Sequence, residues 1–97
     1  MINKVIRKID KQGRLQLPID LAKFSNLNEE KNLAICSMGK SLIKLKKLDE
    51  LRNHKVIAII KIDEKNRIVI PPEIREETKI FEIFVFKGDL ILKEAPK

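Results

Sequence analysis

Two arginines, each four residues after an aspartate, are the side chains best equipped for chemistry here. Arg14 follows Asp10 and Arg67 follows Asp63. A guanidinium carries a planar fork of donors that fits phosphate oxygens or the O6/N7 edge of guanine. The same spacing allows an ion pair across a turn, and an aspartate that orients its arginine is compatible with both roles. Other chemistry finds little material. His54 is the only histidine and Cys36 the only cysteine, far apart, so there is no metal-ligand spacing and no internal disulfide. Cys36 lies in an apolar run and reads as a small core residue. No nucleophile–base pair, phosphate-cradling glycine loop or H-E-x-x-H pattern occurs, so neither an enzyme nor a cofactor is expected. Trp and Tyr are absent beside four Phe, which is poor material for a base-stacking platform.

Charge narrows the partner. The 97 residues carry 21 Lys+Arg against 14 Asp+Glu, a formal net charge of +7. Residues 1–47 hold 11 Lys/Arg and 4 Asp/Glu, whereas residues 48–97 hold 10 of each. A basic block beside a neutral one points to a polyanion, either nucleic acid or an acidic membrane surface; the alternative is a face kept soluble by lysine. No apolar run approaches the roughly 18 residues of a membrane span. Met1-Ile2-Asn3-Lys4 has neither an h-region nor a cleavage site, and one cysteine suits a reducing compartment, so a cytoplasmic location is expected.

The elements that must position the arginines come in duplicate. Lys8-Ile9-Asp10-Lys11-Gln12-Gly13-Arg14-Leu15-Gln16-Leu17-Pro18 lies over Lys61-Ile62-Asp63-Glu64-Lys65-Asn66-Arg67-Ile68-Val69-Ile70-Pro71 at a constant offset of 53. Each unit reads as strand, turn, strand, short helix, hairpin. Val5–Ile9 and Ile57–Ile62 are β-branched and predict strands. Gly13 and Asn66 occupy equivalent turn positions and are the residue types that best tolerate positive φ. Alternation then turns Leu15, Leu17, Ile68 and Ile70 to the core and Arg14, Gln16, Arg67 and Val69 outward. Pro18 and Pro71-Pro72 open short helices predicted over 19–25 and 72–78. Hairpins follow, turning at Met38-Gly39-Lys40-Ser41 and Lys87-Gly88-Asp89. The division is a first repeat over 1–47, a polar connector over 48–55 and a second repeat over 56–97. A unit of some 40 residues buries too little apolar surface to fold alone, so the two must share a core. Such a set of strands closes most economically as a small β-barrel, within one chain or swapped between two.

The segment from Val5 to Leu21, with its Asp-x-x-x-Arg and following proline, resembles the start of the AbrB/SpoVT DNA-binding domain. The second copy through Pro71-Pro72-Glu73-Ile74-Arg75 resembles it too, and the matches together cover most of the chain. The resemblance implies a mainly β, pseudo-two-fold swapped-hairpin barrel and a prokaryotic transcription regulator that binds double-stranded DNA. The same fold serves MazE-type antitoxins and MraZ proteins. An antitoxin would also need a toxin-wrapping tail, and Lys97 lies only a few residues past the last expected strand; MraZ proteins are longer. A protein-interaction barrel that binds no DNA is the remaining alternative.

Carried over residue by residue, the family's DNA contacts match Arg7, Lys8, Arg14 and Lys23 in the first copy and Lys61, Arg67 and Arg75 in the second. Ala22 stands where the family often has an arginine, Ile60 replaces the equivalent of Arg7, and Glu76 replaces a basic position. Glu73, Glu76 and Glu77 would repel phosphate, so the first copy is the expected DNA-facing one. Arg7 shares the inward parity of Ile9 and needs a place near the rim to reach DNA. Lys44, Lys46 and Lys47 read as a solvated strand edge that discourages aggregation. Phe81 to Phe86 reads as a core strand or a dimer interface, and self-association through the neutral half is expected.

Overall fold

In the computed structural model, residues 4–27, 29–39, 42–75 and 79–95 are described, position 75 by its backbone alone. Leu15, Leu17, Ile68 and Ile70 are buried, as their alternation predicts, and they meet Leu33, Ile35, Leu45, Phe81, Ile83 and Leu90 in one apolar cluster. Both repeats feed this cluster. The radius of gyration is 12.1 Å, close to the roughly 12.5 Å of a single domain of this length, so the repeats form one body.

The elements run β1 (Val5–Lys8), β2 (Arg14–Gln16), α1 (Ile19–Phe24), β3 (Asn32–Ser37), β4 (Leu42–Lys47), a 3-10 turn (Leu48–Glu50), β5 (Lys55–Lys61), β6 (Arg67–Val69), α2 (Pro72–Arg75), β7 (Ile80–Phe86) and β8 (Asp89–Glu94). The protein is mainly β with a few short helices. Pro18 precedes the first turn of α1 with φ −65°, the value its ring imposes. The helix stops after six residues because Asn26 turns left-handed, with φ 60°. The N–H of Leu27 then donates to the Ala22 carbonyl (2.9 Å) and that of Asn26 to the Lys23 carbonyl (3.1 Å), which closes the end as a Schellman motif over a buried Leu27. The second helix was expected over 72–78; residues 76–78, with Glu76 and Glu77, lie outside the described residues, as do Lys40 and Ser41 of the first hairpin turn.

Six strands form an antiparallel sheet in the order β1-β7-β8-β4-β3-β5, and β2 pairs with β6 in a separate two-stranded ribbon. Only the β3–β4 and β7–β8 hairpins pair within one repeat. Across repeats β1 pairs with β7, β5 with β3, β4 with β8 and β2 with β6. The first strand of each copy therefore lies against the third strand of the other, within one chain. Neither sheet closes on itself: the large one ends at β1 and β5.

One expectation is overturned. Lys44, Lys46 and Lys47 are not on a strand edge, because β4 lies between β8 and β3 at the centre of the sheet. Lys44 stands across from Cys36 and Ile91, and Lys46 across from Ala34. Their side chains are only 19% and 12% exposed. The Lys46 ammonium donates to Asp89 at 2.8 Å, and Lys44 stands 3.5 Å from the same carboxylate. That hydrogen bond raises the Lys46 pKa against its partial burial. Burial pulls Asp89 up, but the two lysines prevail and hold it low. The lysine stems cover apolar strand residues while their heads are neutralised across the sheet. Cys36 is buried, and burial pushes its thiol pKa up.

Candidate nucleic-acid interface

The two turns are built alike. The Asp10 carboxylate accepts from the backbone N–H of Gln12 (2.9 Å) and of Arg14 (2.8 Å) through Oδ1, and from Arg14 Nε (2.7 Å) through Oδ2. Asp63 accepts from the N–H of Lys65 and of Arg67, both at 2.8 Å, and from Arg67 Nε at 2.7 Å. Gly13 and Asn66 both adopt the left-handed conformation, with φ 81° and 59°. The hydrogen bonds from the arginine N–H, chiefly, hold both carboxyls below the ordinary aspartate value of 3.8, and the guanidinium adds to the effect. Each aspartate thus shapes its turn and fixes one edge of its arginine. Arg14 Nη2 also donates to Gln12 Oε1 at 3.0 Å.

The ribbon brings both arginines onto one face. Arg14 pairs with Val69, Gln16 with Arg67, and Leu15 with Ile68 between them. Paired residues of antiparallel strands share a side, so Arg14, Gln16, Arg67 and Val69 together form the outward face while Leu15 and Ile68 go to the core. The turns lie at opposite ends of the ribbon and are tied across it. The N–H of Leu17 donates to the Asn66 carbonyl, that of Ile70 to the Gly13 carbonyl, and Gln16 Nε2 to the Lys65 carbonyl at 2.6 Å.

The flanks of the ribbon differ in charge. At the first turn, Lys8, Lys11 and Lys79 line a groove with Asp10. At the second turn the corresponding groove holds Lys31 and Lys61 among Glu29, Glu30, Asp63 and Glu64. A third groove, bordered by Gln16, brings Arg7 and Lys23 together beside Asp20 and Phe24. Arg7 is half-buried in β1 with Val5, the parity expected of it, and opens onto that groove. Of the seven site residues expected from sequence, Arg14 and Arg67 share the ribbon face, Arg7 and Lys23 share a groove, and Lys8 sits with other lysines. Lys61 instead stands among carboxylates. The side chain of Arg75 lies outside the described residues.

Sequence reasoning missed Lys11 and Lys79. Lys79 joins the first turn because the N–H of Ile9 donates to its carbonyl at 2.8 Å, and Ile62 does the same to Lys31 at 2.9 Å. The only signal was the repeat itself, and using it required knowing that β1 pairs with β7.

No protein-family model and no curated protein matches the chain. No described helix is long and apolar enough to cross a membrane.

Proposed function

We propose that this chain is a double-stranded DNA-binding regulator of the AbrB/SpoVT type, its interleaved hairpins forming a swapped-hairpin barrel around one core. The observation that carries the reading is the ribbon's outward face. Arg14 and Arg67 lie on it diagonally, one toward each end, each clamped at Nε by an aspartate that also shapes the adjoining turn. A side chain held this way loses little conformational freedom when its outer nitrogens meet phosphate or guanine. A two-stranded ribbon fits the major groove, and the Lys8, Lys11 and Lys79 groove supplies phosphate contacts beside it. The glutamates at the second turn make the first turn the stronger half.

Fluorescence anisotropy with a random-sequence duplex across a salt series tests this. Log K is expected to fall steeply with log salt, and Arg14→Ala to make the slope shallower by about one. Arg14→Ala is expected to weaken binding more than Arg67→Ala; equal losses would show that the two turns share the contact. Absence of binding at low salt would refute the reading and leave a protein-interaction module.

A further inference from the structure

The outward face of the ribbon is two-fold in backbone and not in composition. Arg14 and Arg67 are equivalent under the repeat, but Gln16 is equivalent to Val69. The grooves beyond the two ends carry lysines at one and glutamates among lysines at the other. We propose that the chain binds duplex DNA in one orientation and reads a site without dyad symmetry, with Gln16 and Val69 as the specificity-determining residues of its two halves. This rests on the DNA-binding reading of the ribbon.

The two side chains suit different bases. A carboxamide in the major groove can donate to adenine N7 and accept from its N6 amino group, whereas an aliphatic side chain suits the thymine methyl. Gln16 is already oriented, because Nε2 donates one hydrogen to the Lys65 carbonyl at 2.6 Å. The same nitrogen also donates to the Leu17 carbonyl at 3.4 Å, a long bond that donation to a base would replace, while Oε1 serves as the acceptor for an exocyclic amino group. Val69 is 47% exposed in a strand whose next residue, Ile70, is fully buried. An apolar side chain held outward between the two arginine-bearing turns is a surface for a methyl group. Turning the molecule over on its site would exchange these two environments, and each would then meet the wrong base. The charge difference adds a lateral bias: phosphate contacts extend past the first turn and stop short of the glutamates at the second.

Selection of bound duplexes from a randomised pool, followed by sequencing, tests the proposal. The wild type is expected to yield a consensus with no dyad. Gln16→Val makes the two halves of the face alike and should move the consensus toward a palindrome by changing one half only. Val69→Gln, which breaks no hydrogen bond of Val69's side chain, should do so through the other half. Exchanging the base pair under Gln16 should weaken the wild type about tenfold or more and leave Gln16→Val within about twofold. A palindromic wild-type consensus, no consensus, or a consensus that neither variant alters would overturn the proposal while leaving DNA binding intact. Recovery of no duplex at all would overturn the proposal together with the binding reading beneath it.

Discussion

Asp10 and Asp63 each perform two tasks with one carboxylate, and acid ends both. Both are held below the ordinary aspartate value when folded. Their contribution is therefore complete above that value and is lost as pH falls through the lowered folded value. The arginine clamps are expected to stay closed through neutral and mildly acid solution and to open only below about pH 4. The Arg14 and Arg67 Nε–H resonances, followed through an acid titration, would check this; movement near pH 6 would contradict it. Substitution separates the two tasks. Asp10→Asn keeps an Oδ1 acceptor for the turn N–H groups but cannot receive Arg14 Nε with a carboxylate oxygen. It is expected to leave the turn folded and weaken DNA binding, whereas Asp10→Ala should lower melting temperature and affinity together.

At the scale of elements, the turns and the buried alternation were legible in the sequence because both are local. Asp-x-x-Gly and Asp-x-x-Asn announce left-handed positions through residue type, and Leu15/Leu17 announces a face through spacing. The two hairpins were legible too, but the pairing between repeats was not, since a strand's own residues do not say which distant neighbour it takes. Lys44 and Lys46 consequently looked like an edge, and their neutralising partner Asp89 lies in the other repeat, 43 residues from Lys46. Lys79 was missed for the same reason. The β7–β8 turn shows a different economy: Lys87 and Gly88 both have positive φ, 52° and 82°, as a type I′ hairpin requires. A left-handed lysine costs about 1 kcal/mol, and its ammonium, 5.4 Å from the Phe86 ring centroid, returns about 0.5 kcal/mol at such an exposed place. Lys87→Asn should therefore raise stability by about 0.5 kcal/mol in urea denaturation. A loss instead would show that the ring contact outweighs the backbone strain.

The whole molecule is held by pairings that run between repeats. Each half-chain would lose β2–β6, β4–β8 and the partner of its first strand, and with them most of its core. Fragments 1–54 and 55–97 are each expected to be unfolded alone and to give the full-length circular dichroism spectrum when mixed; a folded fragment alone would contradict shared-core stability. Folding should also be slow for a chain of this size, on the millisecond-to-second scale of non-local β topologies, because β1 must find β7 across most of the sequence. The connector between β4 and β5, residues 48–54, has a consequence beyond joining them. Two separate subunits with the same pairings would come apart on dilution, whereas a short tether holds them at an effective concentration on the order of millimolar. The fold can thus persist at a few copies per cell. A subunit used twice must also carry every mutation twice, and the covalent join lifts that constraint, so position 16 can be glutamine while its repeat equivalent, position 69, is valine.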